Sequence, residues 1–278
     1  MEAMKRVVVL ATVLLVLLGL PVVAEDLRPL ILVCNDDGIE SESLRILALE
    51  MAALGEVVVV APRHNASGVG HGITYRVPMA YGESDAMPGL RAYWVEALPA
   101  TCVRWALDTQ LDGRAPDLVI SGINDGVNIG MGVYYSGTVG AAREGAFGGA
   151  VAVALSIDRG EEIDIAGAAR FARRLASRLL EADNPPRLLN VNFPCSRIDE
   201  ETEVRITRLT LQRWPARYHD RVSPRGGNYF WITFGSSPVP EEDSDAAAIA
   251  DGVISITPLL VDPTDEAALE EAASIPLP

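Results

Sequence analysis

The stretch Leu30-Ile31-Leu32-Val33-Cys34-Asn35-Asp36-Asp37-Gly38 constrains this chain more than any other. Five apolar residues, partly β-branched and stopped sharply by polar ones, read as a short strand buried on both faces. Gly38 permits a tight turn, and Glu40 to Leu54 then has the spacing of a helix. In open α/β sheets, ligands bind just outside the carboxyl ends of the strands. Two adjacent carboxylates at such an end repel each other unless a cation or a proton lies between them. A hard divalent ion with oxygen ligands suits them. An acidic turn capping the next helix suits them equally well.

The same alternation continues along the chain. Val57 to Ala61, a segment near Ala92 to Val95, Asp117 to Ser121, Ala150 to Ser156 and Leu188 to Asn192 read as strands. Ala100 to Leu111, Thr138 to Phe147 and Ile163 to Leu180 read as helices, and Gly122 to Gly137 as a long glycine-studded loop. Strands alternating with helices across short loops predict a mostly parallel α/β sheet with right-handed crossovers. The pattern changes after residue 200. Glu203 to Leu211 and Asn228 to Phe234 alternate apolar and polar residues around Pro224-Arg225-Gly226-Gly227, which predicts a projecting β-hairpin arm over residues 203–235. An exposed two-stranded ribbon is marginal alone, which favours a partner subunit. Val253 to Thr257 returns as a strand, and a C-terminal extension closes with a helix over Thr264 to Ala273.

The N-terminus is a separate matter. Lys5-Arg6 precede an apolar run from Val7 to Leu20, and Pro21 to Ala24 ends in a small residue before Glu25. That is the layout of a secretory signal peptide over residues 1–24, and the run is shorter than the roughly 20 residues a spanning helix needs. The expected product is a single α/β domain over 25–278, exported to the periplasm or secreted, with no membrane attachment after cleavage. A formal net charge of −15 argues against an extended nucleic-acid duplex or anionic-membrane footprint. It still permits a small phosphorylated substrate, because a bound cation reverses the local field. Cys34, Cys102 and Cys195 form no Cys-x-x-Cys or His–Cys cluster, which argues against zinc. Their odd number leaves at least one thiol unpaired within the chain, and the first two lie within apolar patterns as small buried hydrophobes.

Three strand-end loops carry oxygen ligands without cysteine: Asn35-Asp36-Asp37, His64 to His71, and Ser121-Gly122-Ile123-Asn124. Together they suit one divalent ion, Mg²⁺ or Mn²⁺, with Ca²⁺ as the alternative occupant in crystals. Ser136-Gly137-Thr138 opens a helix, where free N–H groups and the helix dipole make an anion site. A cation beside an anion cradle is a layout for phosphoryl hydrolysis.

These residues resemble the SurE survival-protein nucleotidases across nearly the whole chain after residue 24. The likeness rests on Asn35-Asp36-Asp37-Gly38, on Ser67-Gly68 with Gly70-His71-Gly72-Ile73-Thr74, and above all on Ser121-Gly-Ile-Asn-Asp-Gly-Val-Asn128. Tyr135-Ser-Gly-Thr-Val-Gly-Ala-Ala-Arg-Glu-Gly145, Leu189 to Pro194, Pro224 to Trp231 and Ser255 to Leu259 continue it. The resemblance implies a Rossmann-like three-layer sandwich and a metal-dependent phosphatase acting on nucleoside 5′- or 3′-monophosphates. It puts the metal on Asp36, Asp37, Ser67 and Asn124, and the catalytic role on Asp36 and Asp37. It puts the phosphate or substrate by Asn35, Asn128, Ser136, Gly137, Thr138 and His71, and makes the arm a homodimer or homotetramer contact. Two departures stand out. Glu40-Ser41-Glu42-Ser43 replaces the family's small residue, proline and glycine, and Thr101 stands where members show an aspartate at a helix start. An exported phosphate- or nucleotide-binding protein without turnover is the rival reading, though unneutralised aspartates would repel a dianion. A serine esterase would need a Gly-x-Ser-x-Gly elbow after a strand, and the chain has none there.

Overall fold

The computed structural model describes residues 28–212, 215–235 and 240–276, so the expected signal peptide, residues 1–24, lies outside the described residues. The first half runs β1 (Leu30–Cys34), α1 (Glu42–Ala52), β2 (Glu56–Pro62), β3 (Tyr81–Glu83), β4 (Arg91–Val95), α2 (Pro99–Thr109) and β5 (Leu118–Asp125). There follow a 3₁₀ turn (Gly130–Tyr134), α3 (Gly137–Phe147), β6 (Val151–Ile157), α4 (Ile165–Glu181) and β7 (Leu188–Phe193). The remainder is β8 (Val204–Ile206), β9 (Ala216–Val222), β10 (Asn228–Phe234), α5 (Asp245–Ala250), β11 (Ile254–Pro258), a 3₁₀ turn (Glu266–Ala268) and α6 (Leu269–Ala273).

β1 is buried on both faces because alternate residues serve different layers. Ile31 and Val33 pack in one core with Leu44, Leu47 and Met51 of α1 and the alanine stripe of α4. Leu30, Leu32 and Cys34 pack in the other with Cys102, Val103 and Ala106 of α2 and with Val139, Ala142 and Ala146 of α3. Helices therefore cover both sides of the sheet, and each fully buried Leu or Val contributes about 1.5–3 kcal/mol. The three-layer, mostly parallel architecture expected from the sequence is borne out.

The strand order is β3-β4-β2-β1-β5-β6-β7-β11-β8. β1 pairs in parallel with β2 on one side and with β5 on the other. The chain thus winds outward from β1 to β2 and β4, then returns to build β5, β6 and β7 on the opposite side. The join between β1 and β5 is a topological switch point, where strand-end loops part and leave a crevice.

Four expectations shift. The stretch 203–235 divides: Val204–Ile206 joins the main sheet beside β11, and Asn228–Phe234 pairs instead with Ala216–Val222. β5 does not stop at Ser121; after an irregularity it pairs Asn124 and Asp125 with Ser156 and Ile157 of β6, so the first four residues of the expected loop are strand. The closing helix is reduced to a 3₁₀ turn and five exposed residues, because its acidic, alanine-rich sequence has no apolar stripe to bury. Helix α5 was not foreseen, although Ser244 before Asp245-Ala-Ala-Ala is an N-cap signal.

Candidate active site

The carboxyl ends of β1, β2 and β5 meet at the switch point, and one cleft of about 1030 Å³ opens there. Asp36, Ser67, Asn124, Asn128 and Ser136 line it together, although they lie far apart in sequence. Asn35 is fully buried, and its side chain closes the turn: its Nδ2 donates to Gly38 O at 3.2 Å and its Oδ1 accepts from Gly38 N at 3.1 Å. The sequence assigned Asn35 to substrate; the structure assigns its amide to the turn that aims the two aspartates. Gly38 at φ +112° takes a conformation that L side chains resist.

Asp36 is buried at 2% exposure. Its Oδ1 accepts from the Thr138 hydroxyl at 2.7 Å, and its carbonyl accepts from Ala66 N at 2.7 Å, which ties the β1 and β2 loops together. Gly137 is what lets helix α3 come this close. A Cβ there would lie 2.9 Å from Asp36 Oδ2. Burial raises the Asp36 pKa, and the Thr138 hydroxyl pulls it partly back. Asp37 is pushed up to about 6, first by burial, then by the charges of Asp36 and Asp125, with Arg159 opposing. The site therefore holds more negative charge than its surroundings neutralise.

The donor set fits a hard cation. Among the described residues no three His, Cys, Asp or Glu side chains gather to hold a metal. The candidate set is instead two carboxylates with two neutral oxygens, from Ser67 and Asn124, as Mg²⁺ and Mn²⁺ accept. Asn124 uses its Nδ2 on Gly126 O at 2.6 Å, which leaves Oδ1 as its donor oxygen. Ser67 is exposed, with its N–H held by Asn65 Oδ1 at 3.0 Å, so its hydroxyl is free of that turn.

Helix α3 begins beside the carboxylates. Ser136 caps it by accepting from Val139 N at 3.1 Å. The other first-turn N–H groups stand at the positive end of the helix, a setting that suits an anion. Asn128 stands behind Thr138. Its Nδ2 donates to Ser156 Oγ at 2.7 Å and lies 3.5 Å from Thr138 Oγ1, while its carbonyl accepts from Asn190 and Asn192. These contacts hold Thr138 and, through it, Asp36.

His71 is placed elsewhere. Its Nε2 meets Glu144 Oε2 at 2.8 Å and its ring stacks on Phe147 at 5.2 Å, on the far turns of α3 and not among the cleft-lining residues. Its place is that of a pin between the β2 loop and α3. His64 lies in a separate shallow pocket beside Glu96. The departures from the family pattern also resolve locally. Glu42 pairs with Arg45 on the solvent side of α1 at 2.5 Å, and no side chain of this stretch caps the helix by a hydrogen bond. Thr101 accepts from Thr74 N through Oγ1 at 2.8 Å, so a hydroxyl supplies an acceptor where an aspartate was missed.

Arg159 in the cleft and Asp245 behind it escaped the sequence reading, and Asp125 entered it only as part of the Ser121–Asn128 run. Asp125 and Arg159 flank the aspartates, with Arg159 Nη2 donating to Asp125 O at 2.7 Å. Asp245 is fully buried and accepts from Gly130 N at 2.7 Å, Thr210 N at 2.9 Å and Ala246 N at 2.8 Å. It joins the cleft wall, the root of the hairpin and the start of α5. Only its position at the start of an alanine run marked it in the sequence. The hairpin supplies the remaining wall through Ala216, Tyr218, Ile232 and Phe234.

An acidic, oxygen-rich crevice at the switch point of a parallel sheet, with a helix start aimed into it, defines a phosphate-handling α/β protein. This chain belongs to the SurE family: the profile described as "Survival protein SurE" matches residues 31–216. It is 44% identical over 249 residues to "5′-nucleotidase SurE 1" of Thermus thermophilus, covering 88% of this chain and 97% of that protein. It is 42% identical over 241 residues to "5′-nucleotidase SurE" of Cytophaga hutchinsonii, covering 85% and 93% respectively. The crystal structure of the SurE protein from Aquifex aeolicus superposes with a TM-score of 0.76 at 34% identity, covering 87% of this chain and 98% of that one.

Proposed function

We propose that this protein is a divalent-metal-dependent phosphatase that hydrolyses nucleoside 5′-monophosphates, and 3′-monophosphates as a second substrate, to nucleoside and phosphate. The observation that carries the reading is the contact between Asp36 and the start of α3: Thr138 Oγ1 at 2.7 Å, with the bare Gly137 backbone alongside. That contact sets a carboxylate for a cation directly against donors for a phosphate. The relatives named 5′-nucleotidase support the substrate class.

Asp36, Asp37, Ser67 and Asn124 would hold the ion. When bound, Mg²⁺ or Mn²⁺ would polarise the phosphate and lower the pKa of an attacking water. The first-turn N–H groups of α3 bind and orient the phosphate oxygens. Asp36 Oδ2 is the acceptor that orients the water or takes its proton, since Oδ1 is engaged by Thr138. Asn128 and Thr138 keep that carboxylate from rotating. His71 takes no part, being paired with Glu144. Binding without turnover finds no support here, because two carboxylates beside a dianion demand a cation.

The deciding assay is phosphate release from 5′- and 3′-nucleotides with Mg²⁺, Mn²⁺ or EDTA. Release that EDTA abolishes and added metal restores is expected. Release undiminished by EDTA would sink the metal assignment.

A further inference from the structure

We infer that the cleft-facing side of the β9–β10 hairpin is a nucleobase subsite. The inference rests on the nucleotidase reading and names what holds the part of the substrate that does not react. The register pairs Tyr218 with Ile232 and Ala216 with Phe234, so strand alternation puts all four on one face. All four line the cleft. Arg217, His219, Trp231 and Thr233 occupy the opposite face by the same register.

The cleft is therefore divided by chemistry. Its floor is carboxylate, amide, hydroxyl and helix N–H; its hairpin wall is aromatic and aliphatic. At about 1030 Å³ it is at the upper end of ordinary ligand pockets, far more than a phosphate group fills. Tyr218 and Ile232 are 61% and 44% exposed, which leaves a planar apolar surface open toward the floor. A ligand that matches both halves has a dianion at one end and a flat, weakly hydrated ring at the other. Purine and pyrimidine nucleotides have that form and sugar phosphates do not. Aromatic side chains take any base by stacking, because every base presents a π-face. Asp245 fixes the spacing between the halves by binding Gly130 N, between the cleft-lining Ile129 and Met131, and Thr210 N at the hairpin root.

The test titrates adenosine, which carries no phosphate and is not turned over, calorimetrically into the full chain, with ribose as the control. Adenosine should bind and ribose should not. Tyr218→Ala and Ile232→Ala should each weaken adenosine about tenfold, and Tyr218→Phe should restore it. Thr233→Ala, on the other face, should leave the affinity unchanged. No adenosine binding, or an equal loss in Thr233→Ala, would overturn the subsite. A loss accompanied by a changed oligomer size would also overturn it, and would reassign this face to subunit contact. Phosphate release from AMP with Mg²⁺ is scored in parallel. Adenosine binding without release would remove the phosphatase reading alone, and release without adenosine binding would remove the subsite alone.

Discussion

Asp36 is held by the Thr138 hydroxyl and by Ala66 N, and its neighbours differ in what they contribute. Asp36→Asn removes a charge but keeps the shape, so it should cut phosphate release by at least about 10²–10³-fold with an unchanged circular dichroism spectrum. Thr138→Val leaves the carboxylate in place and removes only its hydroxyl donor; a loss of about 10–100-fold is expected. An active Asp36→Asn protein would refute the assignment. Asp37 offers a test independent of turnover. Its pKa rises from 3.8 to about 6 in the fold, so its contribution to stability is complete below pH 3.8 and is lost as pH rises through about 6. Metal-free protein should therefore lose on the order of 1 kcal/mol between pH 5 and 7, after allowing for solvent screening, or about 2–4 °C in Tm. Asp37→Asn should flatten that slope. Added Mg²⁺ or Mn²⁺ should raise Tm at pH 7 in the wild type and not in Asp37→Asn, and calorimetry reads both.

At the scale of elements, the start of α3 and the hairpin root carry the geometry. Gly137→Ala would push a methyl group to 2.9 Å from Asp36 Oδ2. Helix α3 must then withdraw from the carboxylate, and kcat should fall more than Tm. Asp245→Ala strands three backbone donors in a buried place, at a cost of about 1–3 kcal/mol or more. Asp245→Asn sets an amide donor against one of those N–H groups, so it too should loosen the wall. Thermal melts measure the loss of stability, and a raised KM for AMP measures the displacement of Gly130 and Thr210. The same scale explains the misreading of 203–235. Val204–Ile206 alternates like a free hairpin strand, yet it pairs with β11, because alternation specifies a half-buried strand without naming its neighbour.

For the whole molecule, we propose that residues 1–24 direct export and are then removed. N-terminal sequencing of the protein from the exported fraction should begin at or near Glu25; a cytoplasmic protein that retains Met1 would overturn this. On the side turned from the cleft the hairpin leaves Tyr229 and Trp231 exposed, and we propose that this side joins copies of the chain into dimers or tetramers. Sedimentation of wild type against a protein lacking residues 216–234 should show the larger species only in the former.

The sequence by itself determined the layers, because a run such as Leu30 to Cys34 can be buried on both sides only between two sheets of helices. It also determined the chemistry of the floor: acidic, amide and hydroxyl residues stand at strand ends, where backbone turns and ligand sites coincide. It could not say which side chains of that floor would face the cleft. Asn35 turned inward to Gly38 and His71 turned back to Glu144, since each found a nearer partner within the fold. Nor could it bring Asp245 or Tyr218 to the site. Their distance in sequence from Asp36 is closed only by the tertiary structure, when burial makes Asp245 seek N–H donors and the hairpin folds its apolar face over the crevice.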